Sequence, residues 1–484
     1  MDKQTRRILD IFEKIDSIPR CSKHEERISR WLQEWAENQG LDHSADQWGN
    51  VVMRIPPSPG FEKSPAVVIQ GHMDMVCEKA ADSGHDFSKD PIRFVYEGDW
   101  LKADRTTLGA DNGIAIAMAL ALAGDATLAH PALELLFTVD EEQGLTGANK
   151  LSGDFIRGRI LLNLDSEEEG VLTVGCSGGR ETRITLPVEF SELPGGFLSR
   201  RITVGGLKGG HSGVDIHRHR ASANKLLARL LEALSRAFDI RLVSIQGGSA
   251  HNAIPRDSEA VIALSPANEE SLQKIVAGFE QTARNEHAAS ESSIAIRVSR
   301  SGDTADRSIQ ALSAADTVKV ARLMLVIPHG VLGMSAEVED LVETSNNFAV
   351  ISTQKDSLRL LTSQRSSVMS RLDSVTAEIE ALAHLTGAAT ETGSDYPSWP
   401  ANMSSPLLAR CRNVYRDLYG KEPAVNIMHA GLECAVLGAR FPDMDMISFG
   451  PTILNPHSPD EKILLPAIAG VWKYLVELLR SFST

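Results

Sequence analysis

The chain has 484 residues, of which 42% are hydrophobic and 23% charged, with a formal net charge of −15. That length exceeds one ordinary hydrophobic core and predicts two unequal domains, and the composition excludes a disordered, fibrous or membrane-embedded chain. The excess negative charge argues against nucleic acid as a partner and makes multivalent cations the natural guests.

Residues 1–18 carry Ile8, Ile11, Phe12 and Ile15 at helical spacing among interleaved charges, which predicts an amphipathic surface helix stopped by Pro19 and not a signal peptide. Ser22-Lys23-His24-Glu25 has the form of a capping box, and Ile28, Trp31, Leu32 and Trp35 behind it predict a second amphipathic helix. Apolar runs of strand length follow at 50–55, 66–70, 133–139 and 160–164, and again at 444–449. Helical patterns lie between and after them at 114–123, 407–418 and 465–479. This alternation predicts an α/β layer architecture around a mixed, largely parallel sheet. The longest apolar stretch, 114–123, is about half of the roughly 20 residues that a membrane span needs, so no membrane partner is expected. Cys21, Cys77, Cys176, Cys411 and Cys434 form no CxxC pair and are odd in number, which predicts free thiols in a reducing compartment, the cytoplasm.

From about residue 187 the texture changes. Strand patterns at 201–204, 240–245, 260–264, 294–298 and 348–352 alternate with helical ones at 222–237 and 366–384, and few of these strands end in acids. An α+β domain over 187–390 is expected, inserted between two parts of a catalytic domain, 1–186 and 391–484.

In open α/β sheets ligands bind beyond the carboxyl ends of the strands. The run 66–70 delivers Gly71-His72-Met73-Asp74, the run 133–139 delivers Asp140-Glu141-Glu142-Gln143-Gly144, the run 160–164 delivers Asp165, and the run 444–449 leads to Asn455-Pro456-His457. Asp111, in Leu108-Gly109-Ala110-Asp111-Asn112-Gly113, precedes an apolar helix. A lone histidine at a strand end is more often structural, and an acidic pair before glycine is usually a solvated turn. Several acids converging on one sheet edge, however, cost free energy unless a cation neutralises them. Imidazole and carboxylate without thiolate suits Zn²⁺, with Co²⁺ or Mn²⁺ possible. The five residues His72, Asp111, Glu142, Asp165 and His457 are too many for one open zinc but suit two divalent ions sharing a carboxylate, for which Asp111 is the candidate.

These residues, with Asp46-Gln47-Trp48-Gly49-Asn50, Gly209-Gly210-His211-Ser212-Gly213, His251-Asn252-Ala253-Ile254-Pro255-Arg256, His429-Ala430-Gly431-Leu432-Glu433 and Pro456-His457-Ser458-Pro459-Asp460-Glu461, resemble the M20 metallopeptidases along nearly the whole chain, and most closely the aminoacyl-histidine dipeptidases. The resemblance implies a zinc-peptidase-like catalytic domain with an inserted lid domain. It implies that His72 and Asp165 hold one ion, Glu142 and His457 the other, and Asp111 both.

Glu141 beside the ligand Glu142 fits a general base, on the expectation that neighbouring side chains at a strand end point apart. Asp74, two residues after His72, returns to the same side and can orient its imidazole. The resemblance implies the same two roles. His211 is the favoured oxyanion donor, acting after domain closure or from a partner subunit, and a homodimer is accordingly expected. Arg365, with Asn252 as a neutral donor, is the candidate that the resemblance suggests for a substrate carboxylate, and Glu433 for a substrate amino terminus. The implied activity is two-metal-dependent hydrolysis of dipeptides, Xaa-His dipeptides such as carnosine among them. Two alternatives stay open, an M20 hydrolase of N-acyl amino acids or tripeptides and a catalytically silent metal-binding scaffold.

Overall fold

The structure is a computed structural model and describes residues 1–193, 195–301, 310–336, 338 and 340–483. It divides into two compact units, the first formed by Met1–Cys176, Trp399–Met428 and Leu432–Thr484, the second by Ser177–Ser398 with His429–Gly431. The divisions fall between Cys176 and Ser177 and between Ser398 and Trp399, not at the expected 186/187 and 390/391 boundaries. Strand Gly178–Pro187 pairs with Ser357–Ser366 on one side and Ala389–Tyr396 on the other, so both ends of the insertion belong to its own sheet.

The first unit is built on an 8-stranded sheet. Its centre is the strand Val67–His72, flanked in parallel by Leu133–Thr138 and Ile160–Asn163, and Asp445–Ser448 runs parallel to the latter. Val67–His72 and Leu133–Thr138 are buried throughout, which explains why their sequences are runs and not alternations. In register, His72 lies opposite Thr138, and Gln70 opposite Asn163. Parallel pairing therefore brings the loops after three strands to one edge. The outer strands Asp42–Ala45 and Val51–Ile55 are antiparallel, so the sheet is mixed.

Helix Lys3–Asp16 starts where expected, its N-terminus capped by Asp2, whose Oδ1 accepts the Gln4 and Thr5 amides at 2.8 and 2.9 Å. Ile8, Phe12 and Ile15 face the core, where they join the helix Ala110–Ala123, which is apolar from Gly113 onward and buried on nearly every side. The expected capping box does not form. Helix Glu26–Asn38 begins after it, while the Ser22 hydroxyl donates to Asp74 Oδ2 at 2.8 Å and Glu25 Oε1 accepts the Lys23 and Asp140 amides. Both side chains are drawn away by loops distant in sequence.

The cysteine expectation is also corrected. Cys21 and Cys77 form a disulfide across a sequence separation of 56 residues, with Cα atoms 5.7 Å apart, and Cys176, Cys411 and Cys434 are free and buried. A parallel bridge between Cys21 and Met75 lays the two segments side by side, a pairing that spacing alone does not reveal.

The second unit is α+β, with a 9-stranded antiparallel sheet among the described residues. Helix Ala223–Ala237 lays Leu226, Leu227, Leu230, Leu231 and Leu234 into its core. His329 in this unit accepts the Phe348 amide at Nδ1, 3.1 Å away. Burial, and then the charge of Lys225, push its pKa down to about 3. The unfolded ring, with a pKa of about 6.5, takes up a proton that the folded ring refuses. Its stabilisation is therefore complete above about pH 6.5 and declines by about 1.4 kcal/mol for each pH unit below that, until about pH 3. Urea unfolding midpoints should fall as pH drops from 6.5 to 4.5. His329→Asn, which keeps an acceptor for Phe348, should flatten that fall; an identical pH dependence in the variant refutes the assignment.

Candidate active site

The strand ends assemble one cluster in the first unit. His72 Nε2 lies 3.1 Å from Asp111 Oδ1 and 3.3 Å from Asp165 Oδ1. His457 Nε2 lies 3.2 Å from Asp111 Oδ2 and 3.0 Å from Glu142 Oε2. Each oxygen of Asp111 thus faces a different imidazole. Two ligands of one tetrahedral zinc, at bonds of about 2.0–2.1 Å, stand roughly 3.3 Å apart, so these separations match donors converging on two ions. His72, Asp165 and Glu142 are almost inaccessible, whereas the His457 side chain is 49% exposed, so the cluster opens to solvent on that side.

Charge makes the same case. Asp111, Glu141, Glu142 and Asp165 can bring four negative charges against two imidazoles. Burial pushes Glu141 well above the ordinary carboxylate range and Glu142 up to about 7, with the neighbouring acids adding to it. Burial opposes a charged His72, but Asp165, Asp111 and Asp74 outweigh it and hold that ring well above its usual value. Glu142 Oε1 is buried and accepts no hydrogen bond. Acids crowded in this way, with an unused acceptor atom, fit divalent cations.

The supports of this cluster come from distant parts of the chain. Asp74 is wholly buried. Its Oδ1 lies 3.3 Å from His72 Nδ1 and accepts the Glu141 amide at 3.0 Å, while Oδ2 accepts the Glu142 amide and the Ser22 hydroxyl. Asn112 accepts the His72 amide and donates to the Leu164 carbonyl, tying the His72 loop to the Asp165 loop. A side chain at Gly71 would collide with Asn112 Oδ1, which is why that position is glycine.

One expectation needs correction here. Asp140 has φ 53°, and Glu141–Gly144 is a helical turn, so Glu141 and Glu142 do not diverge as on a strand. Both can bring an oxygen near His72, and His72, Glu141 and Glu142 form a possible ligand group alongside His72, Asp111, Asp165 and Asp111, Glu142, His457. Glu433 is wholly buried at the start of helix Glu433–Arg440, its Oε2 accepting Gln70 Nε2 at 2.5 Å and the Thr138 hydroxyl at 2.6 Å. Burial raises its pKa to about 7. That position sets its carboxylate against the strands Val67–His72 and Leu133–Thr138, within electrostatic reach of His72 and Asp165.

The second unit holds the other predicted groups. His211 Nδ1 accepts the Gly213 and Val214 amides at 3.2 and 3.1 Å, which leaves the ring proton on Nε2. Its loop pairs with the Asn252 segment, the Ser212 amide donating to the Asn252 carbonyl at 2.7 Å. Arg365 is 7% exposed, donates to the Tyr396 hydroxyl at 2.7 Å, and keeps its Nε buried without a partner. On the neighbouring strand Val342–Thr353, Ser345 bonds His429 Nε2 at 2.7 Å, and Asn347 donates to the carbonyls of His251 and Ala253. Burial, then the charge of Arg365, press the His429 pKa down to about 3. The sequence assigns His429 and Tyr396 no role; His429 stands in a quoted motif, and Tyr396 in none.

Residues 202–291 match the peptidase dimerisation domain of the M20 family. The chain is 40% identical to the cytosol non-specific dipeptidase of Escherichia coli K12 over 471 residues, 97% of this chain and 96% of that one. The crystal structure of aminoacylhistidine dipeptidase from Vibrio alginolyticus superimposes with a TM-score of 0.84 at 40% identity, over 98% of this chain and 96% of that one. Human carnosine dipeptidase 1, at 12% identity and a TM-score of 0.51 over 99% and 97% of the two chains, shares the fold. A mixed-sheet α/β unit with acids and imidazoles gathered at its strand ends is the architecture of a metal-dependent hydrolase, and the chain belongs to the M20 metallopeptidases. Within that family it is a metal-dependent dipeptidase. No helix among the described residues is long and apolar enough to cross a membrane.

Proposed function

We propose that this protein is a cytoplasmic, homodimeric, two-zinc dipeptidase acting on dipeptides with C-terminal histidine and on other unblocked dipeptides. His72 and Asp165 would hold one ion, Glu142 and His457 the other, and Asp111 would serve both. The supporting observation is that the two carboxylate oxygens of Asp111 each lie about 3 Å from a different imidazole, at 3.1 and 3.2 Å. The substrate class rests on what the Escherichia coli and Vibrio relatives are named for, the compartment on the word cytosol in the former, and the dimer on the matched dimerisation domain.

When bound, two such ions supply Lewis acidity to the scissile carbonyl and to the attacking water. The rest falls to side chains. A carboxylate oxygen of Glu141 takes the proton from water and passes it to the leaving amine, and the burial that raises its proton affinity suits it to hold that proton between the two transfers. Asp74 faces His72 Nδ1 with its backbone carbonyl at 3.1 Å and its carboxylate at 3.3 Å, and so directs Nε2 towards the cluster. His211 Nε2–H donates to the oxyanion. Arg365, with Asn252, binds the C-terminal carboxylate, the planar guanidinium being the better partner for it.

Exhaustive chelation should abolish turnover, and Zn²⁺, Co²⁺ or Mn²⁺ should restore it. In a panel of Xaa-His dipeptides, other dipeptides, tripeptides and N-acetyl amino acids, the restored enzyme should favour the dipeptides. Undiminished turnover in protein shown by elemental analysis to be metal-free would sink the mechanism, and preference for N-acetyl amino acids would sink the substrate class.

A further inference from the structure

Two buried charged side chains outside the proposed ligand set hold the ligand loops to one another. Arg20 is 1% exposed and neutralised by Asp16, whose Oδ1 lies 2.7 Å from its Nη2. Its Nη1 donates to the carbonyls of Met73 and Asp74 at 3.2 Å each, and its Nη2 to the Gly109 carbonyl at 2.6 Å. Arg20 thereby joins the His72 loop to the Asp111 loop. Gly109 has φ 73°, and a side chain there would collide with the Arg20 guanidinium.

Glu461 makes the second join. It is 2% exposed and lies four residues after His457. Its Oε2 accepts the amides of Leu108 and Gly109 at 2.7 and 2.9 Å, and its Oε1 accepts the amide of Asp111 itself at 3.3 Å. Both oxygens are therefore acceptors for one short loop, at the start of helix Ala110–Ala123, where negative charge is favourable. The backbone is strained on the other side of this join, since Asn455 and His457 have φ 54° and 58°. A segment in that conformation needs an anchor to present an imidazole in one place.

We propose that Glu461 is a positioning residue of the metal centre: its carboxylate, without binding an ion, locks the Asp111 loop to the His457 segment so that the two offer ligands to the same ion. The inference rests on the ligand assignment proposed above. It distinguishes Glu461 from an ordinary buried acid, because the N–H groups it accepts belong to the loop of the bridging carboxylate and its own segment carries an imidazole ligand.

Glu461→Gln tests it. The amide keeps the shape but turns one acceptor into a donor that meets a backbone N–H. Zn²⁺ binding is measured by titration against a competing chelator, beside the melting temperature of metal-free and zinc-loaded protein. Wild type should bind two equivalents. The variant should bind the weaker ion about 10- to 100-fold less tightly, the scale for loss of a partner that orients metal ligands. Its zinc-induced rise in melting temperature should shrink in step. Glu461→Asp, which keeps the charge but falls one methylene short, should show a smaller loss of the same ion, and it carries the test if the glutamine variant does not fold. Variants that bind both ions as tightly as wild type, with only a lower metal-free melting temperature, overturn the inference and leave Glu461 a structural anchor. Wild type that binds fewer than two equivalents overturns the ligand assignment instead, and this inference with it.

Discussion

Glu141→Gln is expected to keep both metal ions and to lower kcat on a dipeptide by about 10²- to 10⁴-fold, the range for a positioned general base. Glutamine matches the carboxylate in size and can still accept a hydrogen bond, but it cannot take a proton from water or deliver one to the leaving amine. The loss should fall on kcat, with KM little changed, because proton transfer is a feature of the transition state and not of substrate binding. Metal content measured beside the kinetics is decisive, because the helical turn Glu141–Gly144 lets Glu141 as well as Glu142 approach His72. Loss of an ion with the substitution would make Glu141 a ligand and exchange its role with that of Glu142.

His211→Ala should leave metal content and melting temperature close to wild type and lower kcat by about 10²- to 10³-fold, as when one oxyanion donor is removed. Two backbone amides, those of Gly213 and Val214, point at Nδ1 and so hold the ring in the tautomer that carries its proton on Nε2. The imidazole is thus prepared as a donor before any substrate arrives. His211→Gln, which can present an N–H of similar reach, should recover part of the rate. An unchanged kcat in the alanine variant would make this loop a scaffold or dimerisation element and would place oxyanion stabilisation wholly within the first unit.

The cluster of acids and imidazoles is the most legible part of the molecule. His72, Glu142 and Asp165 follow buried parallel strands whose apolar runs are local signals, and parallel pairing brings the ends of such strands to one edge. Asp74 was found by the period of two, although what it does beyond His72, accepting the Glu141 and Glu142 amides, depends on a neighbouring loop. The partners of Glu433 are less legible. Its motif neighbours suggest a place near substrate, but the bonds its carboxylate accepts from Gln70 and Thr138 come from strands far away in the chain. The boundary of the inserted unit was displaced because Gly178–Pro187 takes its place from pairing with Ser357–Ser366, some 180 residues onward.

By itself, then, the sequence determined the α/β class of the first unit, the presence of an inserted second one, and the residue types at the strand ends, since each of these is written in the periodicity and punctuation of a few adjacent residues. Only the tertiary structure decided the Cys21–Cys77 pairing, the diversion of Ser22 from a helix cap to Asp74, and the joining of the ligand loops by Arg20 and Glu461. Those contacts link residues tens to hundreds of positions apart. Which buried donor meets which acceptor at such a distance is set by how the elements pack, and a single sequence carries no periodic trace of it.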